Sequence, residues 1–354
     1  MKKRKLNKFG KFIIILLILL LIGIITCIFK DNIFKSKDTK KDNFESNKKN
    51  NEIKKEEKLN IIDINSNSRP YAVMINNIKT VWGYQCGLQD AYIVYEIIVE
   101  GGYTRLMAIF KDKNLDRIGS VRSSRHYFLD YALENDAIYV HFGWSPQAEK
   151  DIKTLGVNNI NFMRYNGYIR DRSLGLASEH TAFTSTDKIN TGIDYYKYRK
   201  TTDTKPLLNY SASSIDLSKL DGNIVANKVY LEYSGSRSTS YIYDDINKVY
   251  KRYQNDIEHT DYQTKMQYTA KNIITYKLNN YTISGDNKGR QTLENIGSGD
   301  GYYISEGYAV PIKWEKSSRE KKTVYKYLDG TEIKVNDGNT YIQIQPLNKQ
   351  ITIE

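Results

Sequence analysis

Cysteine is scarce in this sequence of 354 residues, which contains two, Cys27 and Cys86. Only Cys86 falls in a region with the composition of a folded protein, so we expect no intramolecular disulfide there. Cysteine and histidine nowhere stand at zinc-ligand spacing, which argues against a zinc site, and we predict no metal site. The sequence also lacks the signatures of phosphate-binding loops, dinucleotide-binding domains and serine hydrolases, so it indicates no common class of enzyme and no cofactor.

The positive charge of the chain lacks the distribution that nucleic-acid binding requires. The formal net charge is +12, but residues 1–58 hold 16 Lys or Arg and 7 Asp or Glu, a net of +9. The rest of the chain therefore carries only +3. Because nucleic acids are bound by a basic face on a folded domain, we expect no nucleic-acid partner.

An uncharged apolar run of 18 residues, Phe12–Phe29, follows six basic residues at the N-terminus. A run of this length is just sufficient to cross a bilayer, and the flanking positive charge places the N-terminus on the cytoplasmic side. Residues 1–29 are therefore predicted to be a basic tip and a membrane anchor or signal, with everything after Lys30 outside the cell membrane. Cys27 stands in a weak lipobox, so lipidation of Cys27 is the alternative to an uncleaved transmembrane anchor.

The composition changes again after the anchor. Residues 30–60 mix Lys, Asp, Glu and Asn without Gly or Pro, which is typical of a disordered stalk. Residues 61–200 alternate strand-like and helix-like runs, which predicts an α/β domain built as a mixed-sheet sandwich. A polar connector, 201–222, leads to short alternating runs in 223–354, which predict a small all-β domain.

Apolar periodicity predicts the elements of the α/β domain. Apolar runs bounded by turn residues indicate strands over Tyr71–Ile75, Thr104–Phe110 and Ala137–Phe142. Apolar residues at helical spacing indicate three helices, which are Leu88–Glu100, a helix capped by Ser123 or Ser124 that ends near Glu134, and a helix opened by Ser145-Pro146 that ends before Gly156.

Arginines and hydroxyls concentrate at a predicted strand-to-helix junction. Free backbone N–H groups at such a junction attract anions, and guanidinium groups add bidentate contacts to phosphate or carboxylate. The alternative is that these arginines form structural ion pairs with Glu96, Glu100 or Asp130. The candidate anion site comprises Arg105, Arg122, Ser123, Ser124 and Arg125.

Four residues are weak candidates for catalysis. Glu96 and Glu100 are four positions apart, on one face of the predicted helix, and are candidates for acid–base or metal-binding roles. His141 at a strand end and His180 are candidates for a cleft at the carboxyl ends of the sheet. A helix-terminal charge pattern and hydrogen-bonded core histidines are the structural alternatives. Cys86 lacks the flanking signature of a nucleophile.

Ordered motifs run through the chain, among them Gln85–Leu88, Glu100–Arg105 and Ile118–Arg125. Together these motifs resemble the YerB-type lipoprotein family of Gram-positive bacteria. The resemblance covers nearly all of residues 65–346 and implies a two-domain protein of the cell envelope, in a family of unknown function. Cys86 stands where we expect serine in the family, and Thr26 departs from its lipobox. The motifs are Arg69–Asn77, Gln85–Leu88, Ala91–Glu96, Glu100–Arg105, Ile118–Arg125, Tyr139–Gln147, His259–Asp261, Gly297–Gly299, Trp314–Lys316 and Gly338–Gln343.

The anchor, the stalk, two domains and no complete catalytic set predict a non-enzymatic, extracytoplasmic binding or regulatory component of cell-wall synthesis. Its expected partners are the membrane, through the anchor, and either cell-wall synthesis proteins or an anionic envelope ligand. The alternative is an enzyme that binds and transforms a phosphorylated wall-glycan precursor. In that case Arg105, Arg122 and Arg125 hold a diphosphate, while Glu96 or Glu100 holds Mg²⁺ or acts as base.

Overall fold

A computed structural model describes residues 58–354 of the chain. The predicted anchor over 1–29, Cys27 and nearly all of the predicted stalk lie outside the described residues. Within residues 58–354, no helix has the length and apolar character needed to cross a bilayer.

Strands dominate the described chain, and the helices are short. The strands of residues 58–222 are Tyr71–Asn76 (β1), Ile93–Ile98 (β2), Thr104–Phe110 (β3), Ile118–Gly119 (β4), Ile138–His141 (β5), Asn159–Asn161 (β6), Ile169–Arg170 (β7), Ala182–Thr184 (β8) and Asn209–Ser211 (β9). The α-helices are Phe128–Glu134 (α1), Pro146–Thr154 (α2) and Thr186–Tyr195 (α3). The 3₁₀ helices are Lys79–Tyr84, Leu88–Asp90, Glu100–Gly102, Arg172–Leu174, Ser178–His180 and Leu217–Lys219.

Residues 223–354 contain strands and no helix. These strands are Ile224–Val225 (β10), Lys228–Ser234 (β11), Arg237–Asp244 (β12), Val249–Gln254 (β13), Ile257–Glu258 (β14), Thr269–Ala270 (β15), Asn272–Leu278 (β16), Asn280–Thr282 (β17), Gln291–Leu293 (β18), Gly297–Ser305 (β19), Tyr308–Lys316 (β20), Val324–Tyr327 (β21), Lys334–Asn336 (β22), Thr340–Pro346 (β23) and Ile351–Ile353 (β24). A mixed, sheet-rich fold is confirmed.

The main sheet contains strands from both halves of the chain. Its order is β10-β20-β19-β16-β23-β2-β3-β1-β5-β6, with β21 added beside β20. The halves join where β23 runs parallel to β2, from Ile93 opposite Thr340 to Ile97 opposite Ile344. One sheet therefore contains strands from both predicted domains. The residue boundaries of those domains remain a prediction.

Layers of structure cover both faces of the main sheet. The odd-numbered side chains of β2, such as Tyr95 and Ile97, belong to a core that includes α1 and α2. The even-numbered side chains Val94 and Ile98 belong to a second core, which includes α3 and the second sheet, ordered β14-β13-β12-β11-β24 with β15 beside β13. Continuous apolar strands are typical of such double coverage.

The helix predicted over Leu88–Glu100 is wrong. Leu88–Asp90 forms a 3₁₀ turn, and Ile93–Ile98 is the strand β2. All six residues of β2 are buried, because β3 and β23 flank the strand and cores pack on both of its faces. A buried strand of β-branched and aromatic residues shows apolar positions at helical spacing by coincidence, and periodicity alone does not separate the two structures.

The predicted helix caps had mixed outcomes. Ser145 caps α2 as predicted, because its Oγ accepts a hydrogen bond from the backbone N of Ala148 at 3.2 Å. The proposed capping of α1 by Ser123 or Ser124 is wrong, since that helix begins at Phe128 without a side-chain cap. Ser124 instead pairs through its backbone with the chain at Trp144.

Candidate functional site

Glu96 lies at the centre of a buried charged cluster between the main sheet and the second sheet. Its carboxylate accepts hydrogen bonds of 2.6 Å from Nη2 of Arg237 on β12 and 2.6 Å from Nη2 of Arg252 on β13. These three side chains are 0–1% exposed. His259 contacts Arg252 through Nδ1 and Gln85 through Nε2. These five residues, the Glu96 cluster, join the two halves of the chain.

The Glu96 cluster keeps its carboxylate ionised. Burial by itself raises the pKa of Glu96, but the guanidinium groups of Arg252 and Arg237 outweigh burial, and the pKa falls to about 2. Burial and the same arginines lower the pKa of His259 well below its ordinary value, so its imidazole is neutral. The cluster thus holds one negative and two positive charges, and Glu96 is committed to structural ion pairs.

Glu100 forms a second cluster, on the other face of the main sheet. It accepts a hydrogen bond of 3.0 Å from Arg105 and one of 2.8 Å from Nε of Arg125. Nη2 of Arg125 also contacts Oε1 of Glu100. The two arginines further donate to backbone carbonyls, 2.7 Å from Arg105 to Ser123 and 2.7 Å from Arg125 to Ser124. Arg105 is 7% and Arg125 is 6% exposed. We call Glu100, Arg105 and Arg125 the Glu100 cluster.

The prediction that Glu96 and Glu100 share one face of a helix is wrong. Successive residues of a strand point to opposite faces of its sheet, so Thr104 and Arg105 of β3 face different layers. Thr104 donates a hydrogen bond of 2.7 Å to Glu96, whereas Arg105 donates to Glu100. The two carboxylates are therefore held in separate clusters and do not form an acid–base pair.

The Glu100 cluster is closer to solvent than the Glu96 cluster, because the side chain of Glu100 is 24% exposed. Burial raises the pKa of Glu100, but the hydrogen bond from Arg125 and the charge of Arg105 outweigh burial, and the pKa falls to about 2. Burial and the nearby charge of Arg125 lower the pKa of Arg105 to about 10. Arg105 therefore stays charged at neutral pH, and it shares one carboxylate with Arg125.

Arg122 and His180 lie near each other, outside the two clusters, and both contact Glu179. Arg122 donates to the backbone O of Glu179 at 3.0 Å and to its Oε1 at 3.2 Å. Nδ1 of His180 lies 3.0 Å from Nδ2 of Asn76, so it accepts that hydrogen bond. Burial and the charge of Arg122 lower the pKa of His180. Since the Glu179 side chain is 61% exposed, Arg122 is the predicted anion-site arginine with the most accessible ion-pair partner.

His141 and Cys86 have the environments of core residues. His141 is fully buried, with Nδ1 2.8 Å from the backbone O of Gly143 and Nε2 3.0 Å from Oδ1 of Asn159. Burial lowers the pKa of His141 to about 4. Cys86 is also fully buried, and burial raises the pKa of its thiol to about 11, which disfavours the thiolate that a nucleophile needs.

In residues 58–354, the arginines of the predicted anion site lie outside four of the cavities. Four cavities of the described residues have volumes of about 610, 400, 420 and 140 Å³, and none of Arg105, Arg122 and Arg125 lines any of these four. Ser124 is fully buried, and its Oγ accepts a hydrogen bond of 3.0 Å from Tyr139. Within residues 58–354, no three His, Cys, Asp or Glu residues are grouped as a metal site would require.

Sequence reasoning missed Arg237 and Arg252, which neutralise Glu96. A period of two places Arg237 on the same side of β12 as Tyr241, and Arg252 on the same side of β13 as Tyr250. An arginine on the same side of a strand as buried tyrosines indicates that its side chain points into the core. It does not reveal the partner, because Glu96 lies 141 residues from Arg237 in the sequence.

We expect the Glu100 cluster to contribute a pH-dependent part of the stability. The folded-state pKa of Glu100 is about 2 against an ordinary value of 4.5, so its ionisation stabilises the fold fully above about pH 4.5. This contribution is lost as the pH falls from about 4.5 to about 2. Urea unfolding of wild type and Glu100→Gln between pH 7 and pH 2 measures it, as a free-energy difference that shrinks over that interval.

The exposed pair Glu315–Lys326 provides the control, since its atoms are 3.4 Å apart and its side chains are 59% and 38% exposed. Glu315→Gln should change the free energy of unfolding little at any of these pH values. If the difference in free energy of unfolding between wild type and Glu100→Gln stays constant from pH 7 to pH 2, the prediction is wrong.

Comparisons with known proteins agree with this architecture. Models described as "Protein of unknown function (DUF3048)" match residues 59–199 with the N-terminal domain and 229–342 with the C-terminal domain. "Putative lipoprotein YerB" of Bacillus subtilis (strain 168) is 28% identical over 281 residues, which cover 78% of this chain and 81% of that protein. A crystal structure of YerB protein from Bacillus subtilis is similar with a TM-score of 0.70 and 27% identity, covering 80% of this chain and 94% of that one.

Proposed function

Because the chain belongs to the DUF3048 family, whose two domain descriptions assign no function, we propose from its own geometry that it is an extracytoplasmic envelope protein that binds a partner or ligand without transforming it. The N-terminal segment tethers it to the membrane, either as a transmembrane helix over Phe12–Phe29 or through lipidation of Cys27. The name of the Bacillus subtilis relative, a lipoprotein, supports the same location.

The observation that favours a binding protein over an enzyme is the internal pairing of the arginines. Arg105 and Arg125 share Glu100, and Arg237 and Arg252 share Glu96, so these guanidinium groups are already neutralised in part by carboxylates of the same chain. Binding a diphosphate at Arg105 and Arg125 requires that Glu100 be displaced, which leaves a carboxylate without its partners. This cost disfavours the enzyme hypothesis relative to binding elsewhere on the surface.

We extend the proposal to cell-wall synthesis, in which the protein assists or regulates other envelope components. Its support is the predicted tether and stalk, which hold a binding unit outside the cytoplasmic membrane and within reach of the growing wall. The partner is then either a wall-synthesis protein or a component of the wall itself.

A binding and turnover experiment tests this function. The full-length chain in detergent is incubated with an undecaprenyl-diphosphate-linked wall precursor and with glycerol-phosphate oligomers, with and without Mg²⁺. Calorimetry measures binding and mass spectrometry measures any chemical change. We expect any bound compound to be recovered unchanged, and any binding of phosphate groups to weaken in Arg122→Ala, which frees only an exposed glutamate.

Either of two results overturns the proposal. A product that forms with Mg²⁺ and disappears in Glu100→Gln establishes the enzyme in place of the binding protein. Protease treatment of protoplasts that express the full chain tests the location. Digestion of residues 58–354 from outside is expected, and protection until the membrane is broken contradicts an extracytoplasmic position.

A further inference from the structure

A pocket of about 140 Å³ opens where the loops after β5 and β6 meet the residues that follow α3. Aromatic rings form part of its lining, and the polar groups of an amide, a carboxylate and a guanidinium are interspersed with them. A small site with apolar surfaces and a few placed polar groups is the usual form of a ligand pocket. The side chains that bear on binding are Trp144, Glu149, Asn161, Arg164, Tyr196 and Tyr198.

The aromatic rings of this Trp144 pocket are held in place by their neighbours. The rings of Tyr196 and Tyr198 stack at 5.5 Å with an interplanar angle of 17°. The hydroxyl of Tyr198 accepts from the backbone N of Asn159 at 3.2 Å and donates to its O at 3.0 Å. Half-buried rings fixed in this way offer an apolar surface at little entropic cost on binding.

Asn161 supplies a buried donor without an acceptor. Its Oδ1 accepts hydrogen bonds of 3.0 Å from the backbone N of Gly143 and 3.0 Å from that of Met163, which fixes the orientation of the amide. Its Nδ2 has no hydrogen-bond partner, although the residue is only 2% exposed. A buried donor left unpaired is costly, and Asn161 lines the pocket, so a ligand oxygen that reaches Nδ2 from the pocket would stabilise this arrangement.

The charged groups at the pocket can form hydrogen bonds with the hydroxyl groups of a ligand. Glu149 lies 3.4 Å from Arg164 and 3.4 Å from Lys153, distances at which the ion pairs are weak. The guanidinium of Arg164 lies 4.7 Å from the centroid of the Trp144 ring. The pocket therefore offers an acceptor and two donors that exposed side chains can reorient toward a ligand, with a small excess of positive charge.

We propose that the Trp144 pocket binds one hexopyranose ring of an envelope glycan. A pyranose ring has an apolar C–H face that packs on aromatic rings, and its hydroxyl oxygens satisfy Asn161, Arg164 and Glu149. The small volume suits a single ring, with the rest of the glycan lying outside. This inference rests on the proposed function, because it names the class of ligand that the envelope protein binds.

Tryptophan fluorescence of the full-length chain in detergent reports on this site. Of the three tryptophans, Trp82 and Trp314 are 7% and 4% exposed, so a change on binding reports chiefly on the half-buried Trp144. The probes are the β-1,4-linked tetramer of N-acetylglucosamine and soluble peptidoglycan fragments. Glycerol-phosphate oligomers, which contain no pyranose ring, are the negative control. We expect a change in fluorescence with at least one saccharide probe and none with the control.

Two variants test whether saccharides bind in the Trp144 pocket. Asn161→Asp retains the acceptor for Gly143 and Met163 but removes the free donor, and Trp144→Ala removes an aromatic ring. Saturation-transfer NMR should show that each weakens saccharide binding by about tenfold or more, which is roughly 1.4 kcal/mol. Tyr281→Ala changes a tyrosine that is 53% exposed outside the pocket and should leave the affinity unchanged. Equal melting temperatures for wild type and Asn161→Asp exclude unfolding as the cause.

Cosedimentation with purified cell-wall sacculi separates the failure of this inference from the failure of the proposed function. Sedimentation of wild type and Asn161→Asp alike, with no saccharide-dependent fluorescence change, overturns the sugar pocket and leaves envelope binding standing. Saccharide binding that is equally strong in Asn161→Asp and Trp144→Ala also overturns the assignment. If wild type binds neither sacculi nor soluble saccharide, both the pocket and wall binding are wrong.

Discussion

Replacement of Glu96 by glutamine is expected to lower the free energy of unfolding by about 3–5 kcal/mol, the cost typical of removing one partner from a buried ion pair. Glutamine has nearly the same size, so packing is preserved and the effect is electrostatic. Arg237 and Arg252 lose their shared negative charge while both remain 0–1% exposed. Urea unfolding followed by circular dichroism measures the loss.

An exposed pair supplies the control for this experiment. Glu315 contacts Lys326 at 3.4 Å, with side chains 59% and 38% exposed, and Glu315→Gln should cost only about 0–1 kcal/mol. A second variant tests the physical reason. Replacing Glu96, Arg237 and Arg252 together with apolar residues of similar volume should recover part of the stability. A Glu96→Gln protein as stable as wild type contradicts the structural role of the Glu96 cluster.

Neither half of the chain is expected to fold when produced alone. In a fragment of residues 58–222, β2 loses its parallel neighbour β23, and Glu96 loses both arginines. The exposed edge of a strand that is apolar on both faces promotes aggregation, and an unpaired carboxylate remains in an apolar setting. Dispersion of amide signals in NMR spectra of fragments 58–222 and 223–354 measures the outcome.

Mixing the two fragments during refolding is the matched control, because their combination restores β2 beside β23 without the covalent link. We expect a dispersed spectrum and a cooperative thermal transition only from the mixture. A cooperative transition in the isolated fragment 58–222 shows instead that the N-terminal family segment is an independent folding unit, despite its shared sheet.

Local pattern was enough to place most of the central strands. β1, β3 and β5 lie within one residue of the runs predicted from apolar residues, and Ser145-Pro146 opens α2 as expected. Local pattern failed at β2, where the distinction between strand and helix depended on neighbours. One of those neighbours, β23, lies more than 240 residues further along the chain, beyond the reach of any local window.

The candidate site was predicted in composition but not in arrangement. The sequence indicated Arg105 and Arg125 as parts of an anion site, with ion pairing to residues such as Glu100 as the structural alternative, and the structure contains the ion pairs. Nothing in the sequence indicated that Asn161 would retain a free donor beside aromatic rings, because this depends on how three loops meet. The Trp144 pocket is therefore visible only in the folded chain.

The positions of the charge and of the apolar runs follow from the sequence alone, and with them the expected tether, the small net charge after residue 58 and the abundance of strands. These properties depend only on residues that are close together in the sequence, so they can be read without knowledge of the fold. Which charges pair depends on the fold. Glu96 meets arginines 141 and 156 residues away, and contacts between such distant residues depend on sheet order and on which face of each strand is covered.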